Sequence, residues 1–323
     1  MKAILCKELG TPDKLVLADV PSPQPKAKEV LVEIKACSVH FPDTLIIQGL
    51  YQFKPELPFS PGSDIAGVVK AVGEGVKHVK VGDDVFGLVA HGGFAEEVIV
   101  PAKSCFPKPP GMDYDIAASF MMAYGTSYHA LKNRAKLKEG ETLLVLGASG
   151  GVGLAAVELG KIMGAKVIAA ASTDDKLAIC KEKGADELIN YTTEDLKKRI
   201  KELTDGKGAD VVYDPVGGDY TEAALRATAW EGRFLIVGFP AGIAKIPMNL
   251  PLLKGCQIVG VFWGSFAMRD PNANMMNTME LIQMYGKGQL KPHIHGHYAL
   301  ADAPKALEEM MDRKVKGKVI IVP

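Results

Sequence analysis

Between Leu15 and Val100 the chain sets short apolar or partly alternating runs between glycines and prolines, the pattern of strands joined by turns. The runs are Leu15 to Val20, Val30 to Lys35, Ile65 to Val72, Asp84 to Val89 and Ala95 to Val100, and they are broken by Pro21 to Pro25, Gly73, Gly75, Gly82 and Pro101. Such punctuation predicts a β-rich first domain.

A different rhythm begins near Ala123. Strand-like segments at Thr142 to Leu146, Lys166 to Ala170, Glu187 to Asn190, Val211 to Asp214 and Arg233 to Val237 alternate with helix-like ones at Val152 to Met163, Asp174 to Lys183, Glu194 to Leu203 and Tyr220 to Thr228. Parallel strands need crossovers, so this alternation predicts an α/β domain with a doubly wound parallel sheet. The apolar run Leu143 to Leu146 fits a strand buried on both faces. After a strand at Gln257 to Phe262 the pattern predicts a helix near Asn277 to Tyr285, a strand around His293 to Tyr298, a helix at Ala303 to Met311 and a last strand at Lys318 to Val322. These terminal elements are expected to return to the first domain, giving divisions at 1–123, 124–265 and 266–323.

Composition narrows the classes. Over 323 residues, hydrophobic side chains make up 47% and charged ones 24%, proportions of a folded globular chain. Lys plus Arg and Asp plus Glu both number 38, so no net charge draws the chain to nucleic acid. The five cysteines, Cys6, Cys37, Cys105, Cys180 and Cys256, are scattered and never form CxxC, which points to free thiols in a reducing compartment. No apolar run approaches the roughly 18 residues of a membrane span, and no signal-peptide core is visible. A cytoplasmic location is the expectation.

The strongest local chemistry is Leu144-Val-Leu-Gly-Ala-Ser-Gly-Gly-Val-Gly153, a buried strand running into a glycine turn and a helix. Gly150 and Gly151 let the backbone approach a pyrophosphate, Gly153 allows close helix-to-strand packing, and the helix start offers unpaired N–H groups. Ala148 replaces the usual first glycine, and a purely structural turn is the competing reading. At the end of the second strand, where an acid would hold the ribose hydroxyls of NAD, stands Ser172, with Lys176 a turn later. A hydroxyl and an ammonium favour the 2′-phosphate of NADPH. Against this, Ser172 or Thr173 can simply cap the next helix, and Asp174 and Asp175 oppose a phosphate.

Taken together, Phe41-Pro-Asp43, Gly49-Leu-Tyr51, Pro61-Gly62, Ala66-Gly67, Val72-Gly-Glu-Gly-Val76, Gly82-Asp83, Tyr124-Gly-Thr126, the glycine loop, Gly184-Ala-Asp186 and Asp214-Pro-Val-Gly217 carry a resemblance over nearly the whole chain. The sequence resembles the zinc-independent quinone oxidoreductases of the medium-chain dehydrogenase/reductase superfamily. That resemblance implies a GroES-like catalytic domain, a Rossmann coenzyme domain and an active site in the cleft between them. It further implies that NADPH meets His40, Asp43, Thr126, Ser149, Gly150, Gly151, Val152, Gly153, Gly238, Phe239 and Phe262, with Ser172, Lys176 and Tyr191 around its 2′-phosphate.

Alcohol-oxidising members of the superfamily carry a catalytic zinc. Here His40, Ser63 and Asp64 stand at three of its ligand positions and Phe120-Met-Met-Ala123 at the fourth, too few donors for the ion. No metal is the expectation, and His293, His295 and His297, which share one side of an extended stretch, are expected to be solvated or adventitious histidines. Without a Lewis acid the acceptor must itself take a hydride readily, which suits quinones and enones. From its place in the Gly49-Leu-Tyr51 landmark, the resemblance makes Tyr51 the candidate for hydrogen-bonding the acceptor oxygen, and a packing tyrosine on a loop is the competing reading. His40, which stands where relatives have asparagine, has three open roles: touching the nicotinamide ribose, donating a proton, or satisfying a local hydrogen bond. Phe262, Trp263, Phe266 and Met268 line either the acceptor pocket or a core or dimer interface. Two other functions share these features: an enoyl-thioester or alkenal reductase, and a redox-inactive NADPH-binding protein. A homodimer is implied mostly by the resemblance, and an apolar strand expected at the sheet edge, Gln257 to Phe262, would invite such pairing.

Overall fold

The computed structural model describes residues 1–323, which form two compact units. The first holds Met1–Met122 and Pro292–Pro323, the second Ala123–Lys291.

The first unit opens with the hairpin of β1 (Lys2–Leu5) and β2 (Val16–Asp19) and continues through β3 (Glu29–Val39), α1 (Phe41–Ile47), β4 (Asp64–Val72), β5 (Asp84–Leu88), β6 (Glu97–Pro101), β7 (Cys105–Pro107) and α2 (Tyr114–Ala118). The long strand β3 organises it, pairing antiparallel with both β4 and β6. Val30, Val32, Ile34, Ile65, Val85 and Phe94 are buried together as its core.

The second unit comprises α3 (Met121–Tyr128) from Ala123 onward, a π-helical turn at His129–Ala135, β8 (Thr142–Val145), α4 (Gly151–Ile162), β9 (Lys166–Ala171), α5 (Asp174–Glu182), β10 (Glu187–Asn190), α6 (Leu196–Leu203), β11 (Ala209–Asp214), α7 (Asp219–Arg226), β12 (Thr228–Ile236), α8 (Asn249–Lys254), β13 (Gln257–Gly260), α9 (Trp263–Arg269) and α10 (Pro271–Gly286). Its six strands are all parallel in the order β10-β9-β8-β11-β12-β13. The order reverses between β8 and β11, where an open doubly wound sheet leaves its binding crevice.

The chain then returns to the first unit as β14 (Ile294–Ala299), α11 (Ala303–Met311) and β15 (Lys318–Val322). β15 pairs antiparallel with β3, Val319 opposite Val39 and Ile320 opposite Ser38. The return comes later than the sequence suggests. Residues 266–291 belong to the second unit, because α10 is tied there by polar contacts that periodicity does not show: Asn277 Nδ2 donates to Asn133 Oδ1 at 2.8 Å and Tyr128 Oη to Glu280 Oε2 at 2.6 Å. No helix is long and apolar enough to cross a membrane.

Candidate active site

In the second unit the glycine loop joins β8 to α4 at the carboxyl edge of the sheet. Gly147, rather than the Ala148 position, takes the left-handed conformation (φ 53°) that tightens the turn, and a Cβ there would come within 2.6 Å of Val216 across the crevice. Gly153 is sterically obligatory: its Cβ would sit 2.4 Å from the Gly147 carbonyl oxygen and 2.8 Å from Ala148 Cα. Gly150 is different, since a Cβ there would meet only the Gly147 oxygen, at 3.5 Å. The α4 N-terminus has no side-chain cap and no acid in its first turn. By contrast α5 is capped by Thr173 and carries Asp174 and Asp175. The helix left uncapped is thus the one whose start is suited to a pyrophosphate. Ser127 secures it, donating to the Val152 carbonyl at 2.8 Å beside Tyr213 Oη at 2.9 Å, next to the half-buried Thr126.

The other coenzyme candidates of this unit follow the same edge. Ser172 lies just beyond β9, Tyr191 beyond β10, Gly238 and Phe239 beyond β12, and Phe262 beyond β13. Lys176 Nζ reaches Ser172 Oγ at 3.2 Å, so the hydroxyl and the cation converge. Asp174, which seemed to oppose a phosphate, accepts from Asn190 Nδ2 at 2.7 Å. Tyr191 packs on Tyr220, ring centroids 4.4 Å apart. Of the four residues proposed for acceptor or core, Trp263 is buried against Gly125 with Nε1 donating to Asn274, and Phe266 stacks on His129 with centroids 4.0 Å apart. Phe262 and Met268 are exposed.

In the first unit, His40 ends the long β3 and begins α1. Asp43, in the first turn of α1, accepts from the His40 backbone N–H at 2.7 Å and from Gly62 N–H at 3.2 Å. Burial raises this carboxyl to about 6, with the two N–H groups opposing the rise. Asp64 opens β4 and accepts from Met122 N–H at 3.0 Å, while its other oxygen has no hydrogen-bond partner. Burial raises it too. His40 Nε2 is 2.8 Å from Ser38 Oγ and 3.6 Å from Asp64 Oδ2. The fourth wall is Lys318, only 5% exposed, whose Nζ lies 2.9 Å from His40 Nδ1 and 3.3 Å from the Val39 carbonyl. Burial, reinforced by this ammonium, holds the His40 imidazole well below its ordinary range. Tyr51 is half-buried against the core of this unit, and burial, then the Asp43 charge, raises its phenol.

Lys318 and Ser38 are the members sequence reading misses. The one signal was a lysine opening an otherwise apolar strand, Lys318-Val-Ile-Ile-Val322.

A zinc ion would need three or four lone-pair donors converging on one point. His40 and Asp64 offer two, and the neighbour pressed on them is an ammonium, which donates and does not accept. These residues do not fit a metal. The histidines near the C-terminus go to separate partners, His297 Nε2 lying 3.1 Å from Asp115 and His295 Nε2 4.0 Å from Glu309.

Comparison with known proteins agrees with both units. Residues 26–110 match the family model described as the alcohol dehydrogenase GroES-like domain, and residues 151–282 that described as zinc-binding dehydrogenase. A quinone oxidoreductase-like protein 2 homolog from Nematostella vectensis is 40% identical over 99% of this chain and 88% of its own. The quinone oxidoreductase of Homo sapiens is 33% identical over 100% of this chain and 98% of its own. Among solved structures, the Escherichia coli quinone oxidoreductase complexed with NADPH superposes with a TM-score of 0.93 at 30% identity, covering 100% of both chains. With a glycine-loop parallel sheet, a GroES-like unit and relatives aligned from end to end, the chain belongs to the quinone oxidoreductase family of the medium-chain dehydrogenase/reductase superfamily.

Proposed function

We propose that the protein is an NADPH-dependent reductase that passes hydride to a quinone or another conjugated carbonyl without a metal. The observation that carries this reading is the pairing of an uncapped, acid-free α4 N-terminus with a convergent Ser172 and Lys176 one strand away. NADPH, when bound, supplies the hydride. The backbone N–H groups at the start of α4 hold its pyrophosphate, and Ser172 and Lys176 hold its 2′-phosphate while Tyr191 flanks it. Asn190 assists by engaging the Asp174 carboxylate. Thr126, Gly238, Phe239 and Phe262 border the rest of the coenzyme, and the family resemblance adds His40 and Asp43 to the residues that serve it. Tyr51, kept as a phenol by burial, donates to the acceptor oxygen. Orientation is the main contribution, since a conjugated carbonyl needs no Lewis acid to accept hydride.

Steady-state oxidation of NADPH with a benzoquinone, a short enone and crotonyl-CoA tests the reading. Turnover of the first two is expected; preference for crotonyl-CoA would make it an enoyl-thioester reductase, and tight binding without turnover would make it a redox-inactive NADPH-binding protein. Removing one charge-assisted contact costs about 1.5–3 kcal/mol. Lys176→Ala is therefore expected to weaken NADPH binding at least tenfold with NADH unchanged. Equal losses for the two coenzymes would remove Lys176 from the phosphate site. Tyr51→Phe should lower kcat/KM for every acceptor, and unchanged efficiency would exclude the phenol from the reaction.

We also propose a homodimer. β13 is the edge strand of the parallel sheet, and Leu252, Leu253, Phe262 and Met268 on the elements flanking it are exposed apolar side chains. Sedimentation showing only monomer at micromolar concentration would reject this.

A further inference from the structure

We propose that Tyr220 is a positioning residue for coenzyme choice: held at the start of α7 by the turn that follows Asp214, it fixes the Tyr191 ring beside the 2′-phosphate site. The inference deepens the reductase reading and rests on it for the effect on coenzyme binding.

Asp214 ends β11 and is only 3% exposed, too buried to meet a ligand. Its bonds go to the turn instead. Oδ1 accepts from the Val216 and Gly217 N–H groups, both at 2.9 Å, and Oδ2 from Thr221 Oγ1 at 2.7 Å, inside the first turn of α7. Between them Gly217 (φ 73°) and Gly218 (φ 61°) carry the chain through two left-handed positions. A second segment holds the turn from outside: Ala241 N–H donates to the Val216 carbonyl and Gly218 N–H to the Gly242 carbonyl, both at 2.8 Å. The start of α7 cannot shift without breaking several of these bonds, and Tyr220 is its second residue.

Tyr191 needs such a fixed neighbour. Its backbone is tied to the strand end that carries Ser172, its N–H donating to the Ala171 carbonyl at 3.2 Å and Thr192 Oγ1 to the Ser172 carbonyl at 2.8 Å. The side chain still has two torsions to settle. Against it lies the Tyr220 ring, centroids 4.4 Å apart and planes at 45°, a close aromatic contact. Both tyrosines rest on the core of this unit yet are only half-buried. A pair that served the core alone would be buried throughout, whereas these two keep exposed surface at the carboxyl edge of the sheet, where Ser172 and Lys176 converge. Tyr220 therefore acts without touching the coenzyme. By holding Tyr191 in one direction beforehand it removes the cost of ordering that side chain in the complex, which corresponds to about threefold to tenfold in affinity.

Calorimetric titration with NADPH and with NADH tests this. Tyr220→Leu is expected to bind NADPH about threefold to tenfold more weakly with NADH unchanged, and Tyr220→Phe, which keeps the ring, to bind both as wild type does. In a Tyr191→Ala background, adding Tyr220→Leu should change neither Kd further. Equal losses for the two coenzymes, or the same loss again in that background, overturns the proposal. Ring-labelled proton–carbon spectra of the ligand-free protein judge the contact without coenzyme, the Tyr191 signals being identified by their loss in Tyr191→Ala. Shifts displaced by a neighbouring ring are expected in wild type and in Tyr220→Phe and should be gone in Tyr220→Leu. Signals that stay in place in Tyr220→Leu overturn the assignment to Tyr220. Should that variant not fold, the wild-type spectrum decides, and Tyr191 signals at the positions of a free tyrosine would show that nothing holds the ring. A wild type that binds NADPH no more tightly than NADH would reject the 2′-phosphate reading and the role in coenzyme choice with it. A preference equally strong in wild type and in Tyr220→Leu would reject Tyr220 alone.

Discussion

Gly150→Ala is expected to melt like the wild type yet bind NADPH at least a hundredfold more weakly, whereas Gly153→Ala is expected to lose stability as well as affinity. The contrast follows from what each new methyl group would touch. At Gly150 a Cβ meets the Gly147 carbonyl oxygen at 3.5 Å, ordinary van der Waals contact, and φ is −76°, which any residue adopts. The protein itself therefore does not require glycine at that position. If a pyrophosphate lies against this backbone, the methyl group occupies its space and blocks the N–H groups behind it. A hundredfold loss is about 2.7 kcal/mol, of the size of one or two charge-assisted hydrogen bonds. At Gly153 the Cβ would lie 2.4 Å from a backbone oxygen, and neither α4 nor the end of β8 can yield cheaply. Overpacking of this kind costs about 1–3 kcal/mol, or roughly 2–12 °C in Tm for a unit of this size. Calorimetric titration with NADPH, alongside thermal unfolding of both variants, measures the two effects separately. Wild-type affinity in Gly150→Ala would mean that the loop is only a tight turn, and the coenzyme assignment would fall with it.

This division between a glycine needed by the fold and one needed by a ligand cannot be read from the motif, where both are simply Gly. The sequence did expose the sheet that carries them. Leu143 to Val145 lie in a buried parallel strand, Glu187 to Asn190 and Lys318 to Val322 are strands at the expected bounds, and Ser172, Tyr191, Gly238, Phe239 and Phe262 follow the ends of strands. Local periodicity is enough for that, because a strand buried on both faces must be apolar throughout. It is silent on contacts between distant segments. His40 and Lys318 stand 278 positions apart and meet only because the last strand pairs with β3. The short helix α1 opens with proline and an acid in its first turn, ordinary helix-start signals, but its 7 residues are too few to show a periodic apolar face. The extent of the second unit is hidden from an apolar pattern because α10 is held by polar residues, Asn277 and Glu280.

The buried carboxylate of Asp43 should leave a pH signature of the opposite sign to that of a typical surface acid. Its ordinary value of 3.8 becomes about 6 in the folded protein. Between those values the folded chain binds a proton that the unfolded chain has released, so stability falls as pH rises. The contribution is present below about pH 4 and gone above about pH 6. At 1.36 kcal/mol per pH unit, it amounts to about 3 kcal/mol from this one side chain. An asparagine cannot ionise, but its single acceptor oxygen can serve only one of the two N–H groups of His40 and Gly62, at a constant cost of about 1–3 kcal/mol. Asp43→Asn should therefore be less stable than wild type near pH 4 and should draw level with it or pass it above pH 6. Urea unfolding followed by circular dichroism at several pH values measures the gap, in which the surface carboxylates common to both proteins cancel. Parallel stability curves would show that Asp43 ionises in the fold as easily as in water. A closing gap would show that the first unit gives up stability to keep a carboxylate charged at neutral pH, accepting from the His40 N–H and acting on the Tyr51 phenol.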